Sequence, residues 1–206
     1  MKIIDISLEI KEDMIVYPKN PEPKIEQYAF INEDGSNESK ITIGSHTGTH
    51  IDAPLHKKDN GESLGKVSLQ TFYGKCKVLN LLDAGKEIHK EDLAKYEINE
   101  DDFILLKTEN SLKQYETFRE GFTHLKLDAA EYLSKKKIKT VGIDYLSIEK
   151  FNENEGVHEL LIENNIAIFE GLYLVDVDPG EYVFVGLPLK VDIDGSPVRA
   201  ILIDDK

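Results

Sequence analysis

A mixed α/β fold, strand-rich and contained in one domain over residues 1–206, is the architecture this sequence predicts. Three observations predict it. Eight β-type runs outnumber three helical patterns, the turn signals between them are too short to serve as linkers, and 40% hydrophobic residues in 206 suffice for a core.

In chain order, strands are expected at Lys2–Ile10, Ser39–Ser45, Lys77–Leu82, Asp102–Lys107, Lys139–Asp144, Ala167–Phe169, Glu181–Val185 and Pro197–Ile203, each rich in Val, Ile, Leu, Phe or Tyr. Helices are expected at Glu91–Tyr96, Asp128–Lys136 and Val157–Asn164, where apolar residues recur three and four apart, as in Val157, Leu160 and Leu161. The second of these leads with acids and ends on bases, as a helix favours. Turns fall at Asp34-Gly35-Ser36, Asn60-Gly61, Ala84-Gly85 and Asp194-Gly195-Ser196.

With 25 Lys and Arg against 39 Asp and Glu, the net charge is −14, which repels phosphate backbones and anionic membranes. A small-molecule substrate is the expected partner. No apolar run approaches the ~20 residues needed to cross a bilayer, and the opening residues are acidic where a secretory leader is basic, so a cytoplasmic location is expected. Cys76 is the single cysteine. It is expected as a small buried apolar residue, and without thiolate clusters any metal must sit on His, Asp and Glu.

Three of the six histidines fall within His46-Thr47-Gly48-Thr49-His50-Ile51-Asp52-Ala53-Pro54-Leu55-His56. Gly48, two threonines and Pro54 disfavour a helix here, and an extended chain aims His46, Gly48, His50 and Asp52 to one side. At ~3.3 Å per residue a straight strand would hold His46 and His50 ~13 Å apart, too far to share an ion. A bend at Gly48 is therefore expected, with its missing side chain leaving room for metal or substrate. Imidazole nitrogen with carboxylate oxygen and no sulfur suits catalytic Zn²⁺, or alternatively Mn²⁺, with a coordination position left for water. His56, set off by Pro54, is free to act as general acid and base on that water.

Downstream, His158 opens a helical run and Glu170 follows a strand-like one. A helix-turn-strand returns one end toward the other, yet spacing alone leaves His158 on a helix surface and Glu170 in a loop. His89 and His124 read as cap and loop residues, and no G-x-S-x-G elbow supports a serine nucleophile.

The string from His46 to His56 resembles the metal-dependent cyclase family, which includes bacterial kynurenine formamidases and isatin hydrolases. The likeness extends to Asp5-Ile6-Ser7, Tyr17-Pro18, Gly142-Ile143-Asp144 with Ser147, the pair His158 and Glu170, and Gly186-Leu187-Pro188-Leu189. It implies a swivelling β/β/α fold in which helices flank a barrel-like mixed sheet. It implies a first ion on His46, His50 and Asp52, a second on Asp52, His158 and Glu170, and His56 as the proton-transfer residue. The implied reaction is hydrolysis of an N-formyl aryl amide, with opening of a cyclic amide as the alternative reaction and a non-catalytic metal-binding protein as the alternative class. Homodimers or homotetramers are implied as well. Tyr17 stands where the formamidases carry a substrate-contacting tryptophan, Lys19-Asn20 replaces Gly-Asp, and Tyr145-Leu146 replaces Thr-Pro.

Overall fold

The computed structural model describes residues 1–113 and 116–205. Its strands are β1 (Lys2–Asp5), β2 (Lys24–Ala29), β3 (Glu38–Thr42), β4 (His50–Asp52), β5 (Tyr73–Leu81), β6 (Glu87–Ile88), β7 (Phe103–Thr108), β8 (His124–Leu125), β9 (Thr140–Ile143), β10 (Ala167–Glu170), β11 (Gly180–Pro188) and β12 (Gly195–Asp204). The helices are α1 (Ile31–Asp34), α2 (Lys90–Leu93), α3 (Leu127–Lys136) and α4 (Val157–Glu163).

Seven strands close on themselves in the order β12-β11-β5-β7-β9-β10-β4, with β4 returning to pair with β12. The four strands β5, β7, β9 and β10 run parallel, and the connections after β7 and β9 pass through α3 and α4. Such crossovers cover one face of a parallel strand and leave the other to line the barrel. The strand β7 shows both sides: Ile104 and Leu106 pack toward α3 and α4, whereas Phe103 and Leu105 enter the barrel with Phe72, Phe169 and Phe184. Parallel strands buried on both faces read as continuous apolar runs, which is why Phe103-Ile104-Leu105-Leu106 was visible in the sequence.

The strand β12 is long enough to serve two neighbours. Gly195–Pro197 pairs with β4, while Ile201–Asp204 pairs with β1. The expected strand Lys2–Ile10 is therefore shorter, stopping at Asp5, with only a Ser7 to Leu172 bridge beyond. The hairpin β2–β3 forms a separate two-stranded sheet whose residues are nearly all exposed. A third cluster, Ile15, Phe122, Tyr145 and Leu146 with Tyr17, Phe118 and Phe151, lies beside the site described next. No helix among the described residues is long and apolar enough to cross a membrane.

Three peripheral expectations meet different fates. Cys76 is buried, and burial pushes its thiol up to about 12, so it behaves as an apolar side chain. His124 is a buried residue of β8, with Nδ1 on the Phe122 carbonyl, and not the loop residue expected. His89 does precede a helix, where the Asp92 carboxylate accepts its backbone N–H.

Candidate metal centre

On β4 the side chains alternate as a strand requires. Ile51 enters the barrel interior, so His50 and Asp52 face outward, toward α4. Register then supplies the next group, because His50 pairs with Glu170 across to β10. Glu170 is the last residue of that strand, which runs one position further than expected, so Glu170 is a strand residue and not a loop acid.

His46 precedes the strand and reaches the same centre because the chain turns at Gly48, whose φ is +64°. The bend is where the sequence placed it and uses the positive φ that glycine permits, but the space left by the missing side chain is used differently. A Cβ on Gly48 would meet Met14 Cε at 3.2 Å and Ile10 at 3.7 Å, so the glycine makes room for apolar packing, not for metal. Two other glycines let the centre close. A Cβ on Gly171 would lie 2.3 Å from the Gly48 carbonyl oxygen, and one on Gly195 would lie 2.8 Å from His46 Cε1. Thr49 ties these segments together, donating to the Gly171 carbonyl at 2.5 Å and accepting from Leu8 N–H at 2.8 Å.

His158, the second residue of α4, is 4% exposed and points into the cluster, not outward from a helix surface. Gly156 at the helix start offers no side-chain cap. The Glu149 carboxylate serves instead, accepting from Gly156 N–H at 2.9 Å and Val157 N–H at 3.3 Å while its second oxygen binds His158 Nδ1 at 2.7 Å. Burial raises the Glu149 carboxyl, but the hydrogen bond and charge of His158 together with the Val157 and Gly156 N–H groups outweigh this and bring it down to about 2.

Each of the three histidines has one ring nitrogen held from behind. His46 Nε2 lies 2.8 Å from Asp194 Oδ2, His50 Nδ1 lies 2.8 Å from the Gly48 carbonyl, and His158 Nδ1 is held by Glu149. Such outer partners fix ring orientation and leave the opposite nitrogen to bind an ion. Those opposite nitrogens converge on two carboxylates. His46 Nδ1 and His50 Nε2 lie 2.9 and 3.6 Å from Asp52 Oδ1, whereas His158 Nε2 lies 3.7 Å from Asp52 Oδ2. Glu170 spans the same gap, with Oε2 3.4 Å from His50 Nε2 and Oε1 3.0 Å from His158 Nε2.

The fit to a cation is set by Asp52. Its side chain is about 1% exposed, yet neither oxygen accepts a hydrogen bond, the short His46 contact being misaligned for one. A buried carboxylate without hydrogen bonds is costly unless a positive charge lies against it. Without metal, protons supply that charge. Burial lowers both imidazoles, but the neighbouring carboxylates outweigh it: contact with Asp52 lifts His46 to about 9, and Glu149 and Glu170 lift His158 to about 10. Burial raises the Asp52 carboxyl, and His46, His50 and His56 together hold it well below the usual range. Two groupings, His50-Asp52-Glu170 and His46-Asp52-His56, bring ligand atoms within 4.8 Å of one another. The cluster is compatible with a divalent metal.

His56 ends the short turn Pro54–His56 and stands at the edge of the cluster. Its ring centroid lies 4.1 Å from that of His46 and 6.2 Å from that of His158, with Nδ1 3.9 Å from Asp194 Oδ2. Burial, reinforced by the positive charges of His46 and Lys57, lowers its pKa against the pull of Asp52 and Glu170. A cleft of about 540 Å³ opens beside it, lined by Tyr17, His46, His56, His158 and Glu170 among others. Tyr17 is held edge-on by Phe118 and Phe151, at centroid distances of 5.4 and 5.7 Å.

Six of the seven residues singled out in the sequence, Tyr17, His46, His50, His56, His158 and Glu170, line one cleft, and Asp52 is buried against the histidines behind it. Two that were not singled out are Glu149 and Asp194. Asp194 was assigned to a turn, but Gly195 and Ser196 belong to β12 and place the Asp194 carboxylate on His46 and Ser45.

The Cyclase family model, described as "Putative cyclase", matches residues 4–150. A kynurenine formamidase of Bacillus thuringiensis subsp. konkukian (strain 97-27) is 34% identical over 202 residues, covering 97% of this chain and 96% of its own. A solved structure of a potential metal-dependent hydrolase with cyclase activity superposes with a TM-score of 0.89 at 39% identity, covering 100% of this chain and 98% of its own. Isatin hydrolase A from Labrenzia aggregata shares the fold, with a TM-score of 0.83 at 21% identity over 98% of this chain and 93% of its own. Barrel topology, the clustered His and carboxylate side chains and the sequence match all lead to one assignment: this chain belongs to the cyclase family.

Proposed function

We propose that this chain is a metal-dependent amidohydrolase that cleaves the C–N bond of an N-formyl aryl amide, releasing formate and the aryl amine. The observation that carries the reading is Asp52, buried without hydrogen bonds, with His46 and His50 on one oxygen and His158 on the other. That arrangement suits two divalent ions sharing Asp52: one with His46 and His50, one with His158 and Glu170. Zn²⁺ is the proposed ion, since nitrogen and oxygen donors of this kind favour it, and Mn²⁺ is the alternative.

A divalent ion bound here supplies acidity to water, lowering its pKa toward ~7, and polarises the amide carbonyl. The protein supplies the rest. His56, neutral near pH 7 because its pKa is lowered, accepts the proton of the attacking water and returns it to the departing nitrogen. Tyr17, braced by two phenylalanines, offers a fixed apolar face for an aryl ring. Asp194 and Glu149 keep His46 and His158 aimed at the centre.

Metal quantification on the purified protein, paired with assays of N-formylkynurenine, formanilide and isatin, tests the reading. Formanilide-type turnover with bound metal supports it. Turnover of isatin alone would move the assignment to cyclic amides, and a metal-replete protein inert on all three would make the ions structural.

Assembly is part of the same proposal. The hairpin β2–β3 and the adjoining Phe30 and Ile31 expose Ile25, Tyr28 and Ile41, and a lone two-stranded sheet has marginal stability in water. A second copy covering the hairpin accounts for both, giving a homodimer or homotetramer. Light scattering of wild type and of an Ile25→Glu, Ile41→Glu variant tests this, with dissociation expected in the variant.

A further inference from the structure

We propose that Lys19 and Lys57 bind a carboxylate on the aryl-amine half of the substrate, so that the amide cleaved here is anionic. This rests on the hydrolytic reading above and adds the charge of its substrate.

The first observation is a backbone one. Tyr17-Pro18-Lys19-Asn20 is a tight turn closed by Asn20 N–H to the Tyr17 carbonyl at 2.9 Å, and Lys19 occupies its third position at φ +78°. Glycine takes that position without strain and asparagine nearly so, whereas a long side chain pays a steric cost. Strain kept at the lip of a cleft is where a functional side chain is sought. The other lysine at positive φ, Lys137, has a structural reason, since it terminates α3.

The second observation is one of charge. In a chain of net charge −14, Lys19 and Lys57 both line the cleft, and among the described residues neither has a carboxylate within 4.0 Å. Lys150, on the same cleft, is instead occupied by Glu153 at 2.6 Å. Two acids of the cleft are held elsewhere, Glu149 and Glu170 by His158 and backbone N–H groups, and Glu159, whose Oε2 is buried without a hydrogen-bond partner, makes no ion pair with either lysine. Two uncompensated cations at the mouth of an acidic protein focus an anion onto that point.

Position selects the half of the substrate concerned. Lys19 adjoins Tyr17, the aryl face, and Lys57 adjoins His56, which protonates the departing nitrogen. An anion between them belongs to the amine being released, not to the formyl group. A carboxylate fits better than a phosphate, because the N–H groups at the start of α4 that would cradle a phosphate are already taken by Glu149.

The test compares formanilide with 2-, 3- and 4-formamidobenzoate, which add one carboxylate at different ring positions, in wild type, Lys19→Gly, Lys19→Asn and Lys19→Arg. Glycine and asparagine keep the turn, so folding is preserved. At least one formamidobenzoate is expected to have a KM roughly three- to tenfold below that of formanilide, as for one or two partly exposed ion pairs. That advantage is expected to shrink in Lys19→Gly and Lys19→Asn, where Lys57 alone remains, to persist in Lys19→Arg, and to fall as salt rises. Calorimetric binding of the same four compounds reads the ratio even if none is turned over. Absence of turnover on all four with the binding preference intact would overturn the formamide reading and keep the anion-binding assignment of Lys19 and Lys57. Equal affinity for neutral and anionic compounds, or a preference unchanged in Lys19→Gly, would overturn this inference.

Discussion

The two halves of the metal centre are built in opposite ways. On one side His46, His50, Asp52 and His56 come from eleven consecutive residues, brought together by a single bend at Gly48 and the alternation of a three-residue strand. On the other side Glu149, His158 and Glu170 span more than twenty residues and meet only because α4 folds back onto β10. The contiguous half is a local motif carrying its own geometry, whereas the dispersed half depends on packing of Val157 and Leu161 against the sheet. Asp52 and Glu170 join the two, each facing histidines from both sides.

The sharpest way to break this comparison is to remove the joint. Asp52→Ala is expected to empty both metal positions and reduce turnover by at least about 10⁴-fold, because the remaining donors no longer share a charge. Loss of one ion only, by metal analysis, would make the halves independent. Next in size is His56→Ala, expected to lower kcat by roughly 10² to 10⁴ while metal content stays near wild type. Since His56 also falls within a ligand-capable grouping with His46 and Asp52, metal loss in that variant would reassign it from proton transfer to coordination.

The two orienting carboxylates sharpen the comparison further. Asp194→Asn and Glu149→Gln are each expected to weaken metal affinity by roughly 10- to 100-fold, Asp194→Asn through His46 and Glu149→Gln through His158. Glu149→Gln should also lower stability, because Glu149 caps α4 as well as holding the histidine. A chelator titration of each variant, with thermal unfolding alongside, separates the two roles.

The smallest expected effect is in the metal-free protein. His46 and His158 have folded pKa values raised to about 9 and about 10, against ~6.5 for unfolded histidine. Groups with raised values stabilise fully below the unfolded pKa and lose that contribution as pH rises through the folded one. Their contribution is therefore expected to fall from about pH 6.5 to pH 10, lowering the Tm of the metal-free protein across that range. Metal displaces the protons, so the loaded protein should show a weaker slope and release protons on loading. Equal slopes with and without metal would contradict the assignment.

Legibility in the sequence follows the same division. Continuous apolar strands such as β7 and the apolar residues three and four apart in α4 declare themselves, as does a string of donors within eleven residues. The strand β2 did not, because Lys-Ile-Glu-Gln-Tyr-Ala buries neither face and so carries no alternation. His158 fell on a helix as read and Glu170 ended a strand where a loop was expected, and their burial depends on how α4 packs, which spacing does not encode. Resemblance to the family supplied that link. Asp194 looked like a turn residue because Asp-Gly-Ser is turn chemistry, and the pairing of Gly195 with Asp52 is a long-range fact. Glu149 left one trace: the residue before α4 is Gly156, which has no side chain to cap the helix, so an acceptor comes from elsewhere, and nothing local says which.

Metal stoichiometry across four proteins tests the central claim most directly: wild type, His46→Ala, His158→Ala and Asp52→Ala, each loaded with excess Zn²⁺ and desalted. Sharing of Asp52 predicts two ions per chain in wild type, retention of one in each histidine variant, and none in Asp52→Ala. A wild-type protein with one ion, unchanged in His158→Ala, would show that the α4 side holds no metal and contradict the account.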